Sequence, residues 1–331
     1  METARAIVSA CGSSFIFRAG VWKPRSRPDT FQGAGEEGLR WLQEVKATFG
    51  VPVATEVATP EHVRLAMEAG IDYVWIGARS SANPIAVEAI ASTIADRLRL
   101  IEHRPATPER VQTDLLKGIL IKNPVNADAQ LWLGNIERLE KTGVPVMAVH
   151  RGCNHQPCWA MAHTVRTARP DIPMLLDPSH MSGDAKAVPG LLGKTDELGL
   201  DGAMIEVHVH PESALSDAKQ QVEPSAISHQ LSVLSSLNAE SSELNAIELN
   251  WLRAEIDELD DSLWAAIAAR MEVSKRIGAW KKAHGVAPLQ PERYQQILAA
   301  RQQWAQKSGI DAALVERIFD AIHSESVKVQ L

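Results

Sequence analysis

The chain has 331 residues and a formal net charge of −7 at pH 7, with 23% of its residues charged. That acidic balance argues against nucleic acid as the main partner, and no apolar run approaches the roughly 20 residues of a membrane span. Three cysteines, Cys11, Cys153 and Cys158, are too few for a disulfide framework and, with no signal peptide visible, fit a reducing, cytoplasmic setting.

The pattern predicts a helix over residues 1–11. Strands follow over 15–20, 51–55, 73–77, 118–121, 145–150, 173–176 and 203–207, as short apolar runs of the kind found in buried parallel sheets. Helices are predicted between them over 35–49, 60–69, 83–98, 128–141, 159–168 and 188–198. Looser stretches fall at 21–33 and 102–112, where proline and glycine break the periodicity. About seven β/α units in a row predict a TIM-type (β/α)8 barrel, although periodicity does not separate a barrel sharply from a doubly wound sheet.

Either arrangement gathers the C-terminal ends of the strands on one face. Most of those ends carry charge: Arg18 and the Lys23-Pro24-Arg25-Ser26 loop, Glu56, Arg79, Lys122 and Arg151. One cation at a strand end is commonly a solvated side chain. Recurrence from strand to strand points to a substrate with phosphate and carboxylate groups. The last two strands deliver Asp177 and His180, then Glu206 and His208, with Asp217 a turn later. A His, a Glu and an Asp together suit a catalytic divalent metal such as Mn, Fe, Co or Zn. His180, in a tight loop just past a strand, is the better-placed histidine; His208 and His210 read as structural.

The segments RAGVWKPRSRP, WIGARSSANP, LIKNPVN, VHRG, LLDPSHMSG, IEVH and ALSDAKQ occur in this order. Together they resemble the 3-deoxy-D-arabino-heptulosonate 7-phosphate synthase family, in its short bacterial barrel form, over about residues 1–224. The related octulosonate synthases have an Asn-containing loop where this chain has KPRS, which favours the heptulosonate family. The resemblance implies condensation of phosphoenolpyruvate with erythrose 4-phosphate. It implies that Arg18, Lys23, Arg79, Lys122 and Arg151 hold phosphoenolpyruvate, with Lys23 as proton shuttle, and that Arg25 and Ser26 hold the sugar phosphate. His180, Glu206 and Asp217 would be metal ligands, the metal acting as Lewis acid on the aldehyde. The family places a further Cys ligand in a GPC-type segment on its first strand, and Met1 of this chain matches just after it. Cys11, Cys153 and Cys158 do not match that position. The barrel is therefore expected to lack its first strand and one ligand, as from a misassigned start or a trimmed reading frame. That would leave two unpaired sheet edges and impair both stability and synthase activity.

Residues 225–243 are serine-rich and read as a linker between a barrel domain, 1–224, and a helical domain, 244–331. One long helix is predicted over 244–284, with shorter ones over 292–307 and 312–329. Leu252, Ile256, Leu259, Leu263 and Ala266 form a seam that continues through Arg270, Val273, Ile277 and Lys281. A lone seam cation commonly snorkels to water; two of them on one face can also bracket a small dianion. A helix this long cannot bury its seam on two short partners, so a homodimer is expected.

The segments LRAEIDELD, ARMEVSKRIGAWKK, PERYQQIL and IHSESVKVQ resemble the all-helical chorismate mutase family. The resemblance implies that Arg253, Arg270, Arg293 and Ser326 bind the carboxylates and neighbouring groups of chorismate, and that Lys281 and Gln330 donate to its ether oxygen on the way to prephenate. Arg253 and Lys281 lie 28 residues apart, about 42 Å along a helix, so Arg253 would serve a partner chain's site. Tyr294 and Gln290 stand where family members often carry acids, which leaves the partner of the substrate hydroxyl open. The whole reads as a bifunctional enzyme. The alternatives are a mutase with an inactive barrel, or a helical domain that senses prephenate or chorismate and regulates the barrel.

Overall fold

The computed structural model describes residues 1–25, 29–102, 115–154, 156–227 and 244–331. Ser26, most of the looser stretch at 102–112 and most of the serine-rich linker lie outside the described residues. The chain divides into two compact units, Met1–Glu255 and Ile256–Leu331.

The first unit opens with helix α1 (Glu2–Cys11), then alternates: β1 (Phe17–Ala19), α2 (Glu36–Phe49), β2 (Val53–Val57), α3 (Pro60–Glu68), β3 (Tyr73–Ile76), a short α4 (Ala78–Ser81), α5 (Pro84–Glu102), β4 (Gly118–Lys122), α6 (Ala129–Glu140), β5 (Val146–His150), α7 (Trp159–Ala168), β6 (Met174–Leu176), α8 (Pro178–Ser182), α9 (Val188–Glu197) and β7 (Gly202–Ala203). Local chemistry sets several boundaries. The Thr59 hydroxyl caps α3 by accepting from the His62 amide, with Pro60 in the first turn. Asp128 caps α6 in the same way, and Gly50 ends α2 in the left-handed conformation.

Strands β1 to β7 lie in sequential order and every neighbouring pair is parallel. All their C-terminal ends therefore open on one face, as a β/α barrel requires. Among the described residues β7 does not pair with β1. Instead Ile16, Phe17 and Arg18 from the first edge face Ala203, Ile205 and Val207 from the last across a largely apolar cavity of about 200 Å³, roofed by Thr3, Ile7 and Cys11 of α1.

Three strands differ from expectation by two residues or more. The first, expected over 15–20, is confined to Phe17–Ala19. The second begins at Val53 rather than residue 51, because Pro52 has no N–H to give a ladder. The seventh, expected over 203–207, stops at Ala203. Beyond it the backbone turns to other partners: the Glu206 amide donates to Ser179 Oγ, and Val207 bridges Val222.

A long helix, α10, runs from Leu244 to Ala283. Its opening turns belong to the first unit. Trp251 and Ala254 are buried in the same core as Trp132 and Trp159. The Trp251 indole stacks on His163 at 5.4 Å and meets Trp159 edge-on at 6.1 Å. His163 lies 2.5 Å from Glu255 and 3.2 Å from Glu248, and Asn250 donates to the Glu197 carbonyl.

The second unit contains the rest of α10 with α11 (Pro291–Ser308) and α12 (Ala312–Lys328). Its expected seam side chains Ile256, Leu259, Leu263, Val273 and Ile277 are 43% to 69% exposed. No helix among the described residues is long and apolar enough to cross a membrane.

Candidate functional site

In the first unit the strand ends bring several charged side chains together. Arg18, inside β1, lies over the Trp75 ring at 5.3 Å and donates to Glu206 at 3.2 Å. Lys122, the last residue of β4, forms a buried ion pair with Asp177 at 2.6 Å. Asn123 fixes the loop beyond β5: its Oδ1 accepts from the Arg151 amide at 2.7 Å and its Nδ2 donates to Gly152. Arg151 is thereby held close enough to Arg79 and Asp177 to feel both charges, while burial lowers its affinity for its proton. Lys23 and Arg25 extend from the loop after β1.

The acidic groups respond to this crowd. Burial pushes Asp177 up, but His180, Lys122 and Arg18 outweigh it and hold the carboxyl well below its ordinary value. Glu206 is likewise lowered, its burial overcome by Arg18, His180 and Lys23. Glu56 goes the other way: burial raises it despite nearby Lys122, Arg18 and Lys23. Glu56, one of the charged strand ends read from the sequence, thus feels three of the cations at once. A Cβ on Gly77 would overlap its Oε1, so glycine there makes room for it.

The expected metal ligands do not all meet. His180 Nδ1 is oriented by Asp177 at 3.0 Å, leaving Nε2 3.7 Å from Glu206 Oε1. This is the carboxylate-oriented imidazole of many metal sites. Asp217 is taken elsewhere. It sits in the left-handed conformation at φ 54° and pairs with Lys23 at 3.0 Å and Arg25 at 3.2 Å. Burial pushes Asp217 up, yet Arg25 and Lys23 hold it well below its usual range. Of the expected ligands, His180 and Glu206 thus lie side by side, while Asp217 is paired with two residues expected on substrate, Lys23 and Arg25. Lys23 also donates to Ser216.

His150 lies directly before Arg151 and is fully buried. Its Nε2–H donates to the Pro157 carbonyl at 2.7 Å and its Nδ1 has no partner among the described residues. Burial lowers its pKa to about 4, so the folded protein keeps it neutral. Between about pH 6.5, the free value, and about pH 4 the unfolded chain binds the extra proton, so stability rises with pH across that window. Acidifying from 6.5 to 4 is expected to cost about 3 kcal/mol through this residue. Urea titrations of wild type and His150→Phe at both pH values check this: the variant should lose most of that slope.

In the second unit Arg270 donates to Ser326 Oγ and to the Ile322 carbonyl. Lys281 Nζ donates to Gln330 Oε1 at 3.1 Å and to the Pro288 carbonyl at 2.6 Å. Gly278 permits this approach, since a Cβ there would strike the Gln330 backbone. Arg293 and Arg270 line a cavity of about 590 Å³ together with Arg301, a third cation that sequence reasoning did not single out. Four of the expected mutase residues, Arg270, Lys281, Ser326 and Gln330, are thus paired across the bundle, with Arg293 on the same cavity as Arg270. Arg253 lies on the part of α10 that belongs to the first unit and is exposed, 3.5 Å from Asn250.

Comparison with known proteins follows the same division. The DAHP synthetase I family matches residues 1–95 and 113–242, and chorismate mutase type II matches residues 252–331. Phospho-2-dehydro-3-deoxyheptonate aldolase of Thermotoga maritima is 29% identical over 223 residues, covering 67% of this chain and 61% of that protein. The 4-amino-4-deoxychorismate mutase of Streptomyces pristinaespiralis is 34% identical over 82 residues, covering 25% of this chain and 64% of that protein. A crystal structure of the Thermotoga maritima DAHP synthase superposes with a TM-score of 0.58 at 25% identity, covering 71% of this chain and 64% of that one. The chain thus spans a little over three fifths of the length of these relatives. By the extent of the first match the chain belongs to the DAHP synthetase I family, and it carries a chorismate mutase type II domain behind the barrel.

Proposed function

We propose that the chain catalyses two steps of aromatic biosynthesis: condensation of phosphoenolpyruvate with erythrose 4-phosphate to 3-deoxy-D-arabino-heptulosonate 7-phosphate, and rearrangement of chorismate to prephenate. The observation that carries this reading is the convergence of Arg18, Lys122 and Arg151 on one sheet face in a chain whose helical unit brings Lys281 to Gln330 and Arg270 to Ser326. With Arg79, the barrel cations neutralise a phosphate and a carboxylate and fix them for attack. Lys23, once released from Asp217, is the group in reach to move a proton. The family is generally metal-dependent. Mn, Fe, Co or Zn suit His180, Glu206 and Asp217 as donors.

The mutase half needs no covalent intermediate. It holds the compact conformer of chorismate and stabilises charge on the ether oxygen, the roles given to Arg270, Arg293 and Ser326 and to Lys281 and Gln330. A second copy of the chain covers the exposed seam of α10 and supplies Arg253. A cytoplasmic setting fits the three free cysteines.

A second reading, a mutase with a silent barrel, is favoured by the engagement of Asp217 with Lys23 and Arg25. Both reactions are assayed on the purified protein with and without Mn²⁺. Loss of phosphoenolpyruvate and of chorismate is the expected result. Chorismate turnover with no loss of phosphoenolpyruvate would establish the second reading. Prephenate binding without turnover would make the helical unit a sensor.

A further inference from the structure

Lys23 and Arg25, assigned to different substrates, ride on the connection from β1 to α2 rather than on a strand. The neck of that loop is closed by backbone: the Gly35 amide donates to the Val21 carbonyl at 2.9 Å, and the Lys23 amide to the Gln32 carbonyl at 2.7 Å. Trp22 lies between the two closures. It packs on the barrel core and lies flat on His62, with ring centroids 4.1 Å apart and planes 5° apart. His62 stands in the first turn of α3, just beyond the end of β2, on the face where the strand ends gather. Its own ring is held in place. Nδ1 accepts from the Ala58 amide at 3.3 Å, and the His62 backbone amide donates to the Thr59 hydroxyl. Burial lowers the imidazole's affinity for a proton against the pull of Glu61, which leaves Nδ1 free to accept. A stacked ring pair is directional as well as apolar, so it fixes the orientation of the loop neck and its distance from α3 together.

We infer that His62 is a positioning residue of the synthase: by stacking on Trp22 it sets where the next residue, Lys23, and then Arg25 stand over the open ends of the strands. The inference rests on the synthase reading of the first unit. Arg18 and Lys122 lie in strands, and Arg151 is the first residue past one, so the ladder holds them whatever the loop does. Lys23 and Arg25 have no ladder beneath them. Arg79 ties the loop once more, donating to the Pro24 carbonyl at 3.4 Å. A misplacement of about 1 Å can cost on the order of 10²-fold in rate. The stack therefore matters to the sugar phosphate held by Arg25 and to the proton moved by Lys23. It matters little to the binding of phosphoenolpyruvate, which retains Arg18, Lys122 and Arg151.

The test compares wild type with His62→Ala, His62→Phe and His62→Asn, each with a melting curve, by two-substrate kinetics with Mn²⁺ and by amide hydrogen exchange. Phenylalanine keeps a flat ring without the Nδ1 acceptor; asparagine keeps a polar acceptor without the ring. For His62→Ala, kcat is expected to fall about tenfold and KM for erythrose 4-phosphate to rise about tenfold, with KM for phosphoenolpyruvate within about twofold. Exchange at the Lys23 and Gly35 amides should quicken about tenfold. His62→Phe should recover both readouts to within about threefold, and His62→Asn should resemble His62→Ala. Added to Trp22→Leu, His62→Ala should cause no further loss, because both remove the same contact. Unchanged kinetics in His62→Ala, the two KM values rising together, rescue by asparagine but not phenylalanine, or additive losses in the double variant would each overturn the assignment. If wild type consumes no phosphoenolpyruvate, the synthase reading fails, and exchange alone decides on the stack: unaltered protection of Lys23 and Gly35 in His62→Ala would show that it does not place the loop.

Discussion

Replacing Lys281 with alanine is expected to lower mutase kcat by about 10² to 10³-fold while leaving the melting temperature nearly unchanged. The magnitude is that of removing one preorganised donor aimed at developing charge. Lys281 is the cation paired with Gln330, and the ether oxygen gains charge only as its bond breaks, so the loss should fall on kcat rather than KM. The side chain is part-buried and its remaining bond is to the Pro288 carbonyl, so its removal costs the fold only about 1 kcal/mol. A variant with full turnover would take Lys281 out of the site. The same substitution tests sharing between chains. If Arg253 completes its partner's site, chains with Lys281→Ala and chains with Arg253→Ala are each inactive alone. Co-refolded, they form hybrids with one intact site of two. Random pairing makes half the dimers hybrids, so activity should return to about a quarter of wild type. No recovery would place Arg253 outside a shared site.

Lys122→Met is expected to abolish synthase turnover and to destabilise the barrel by about 3 to 5 kcal/mol. The physical basis is the ion pair at 2.6 Å whose side chains are only 5% and 0% exposed. Methionine matches the lysine stem but leaves the Asp177 carboxylate buried with one counter-charge fewer, and such uncompensated burial is what makes breaking a buried pair costly. The double variant Lys122→Met with Asp177→Asn should recover most of the stability and none of the activity. Urea midpoints measure the first; phosphoenolpyruvate consumption measures the second. The variant should also unfold at higher pH on acidification. The wild-type carboxyl is depressed well below its unfolded value, so its contribution is present above about pH 3.9 and lost as pH falls through the folded pKa. Removing Lys122 raises that folded pKa. A single variant as stable as wild type would show the pair to be worth no more than its desolvation cost.

The alternation of short apolar runs with helices was readable because the central strands are largely buried and bounded by Gly, Pro or charge. The same runs located Arg18, Lys122 and Arg151, since strand ends fix those positions. The neighbours of Asp217 were not readable in this way, because Lys23 and Arg25 meet it from nearly two hundred residues away in sequence. The seventh strand was overextended for a related reason: Ile205 and Val207 look like strand, but the Ser179 hydroxyl takes the Glu206 amide. The rings of Tyr294 and His323 meet only once α11 and α12 pack.

The burial of Trp251 bears on how such a protein can be dissected. The chorismate mutase match begins at residue 252, yet the packing of the first unit runs to Glu255 and includes Trp251, Ala254 and the carboxylates flanking His163. A gene cut at the start of the match would leave the indole on a frayed end of the barrel fragment. A cut at Leu244 would give the helical fragment an indole with no core to enter. Neither half has a clean terminus, because one helix serves both. Shuffling these modules at that joint, in the laboratory or in descent, would damage two folds at once, which favours inheriting the two domains as a single reading frame.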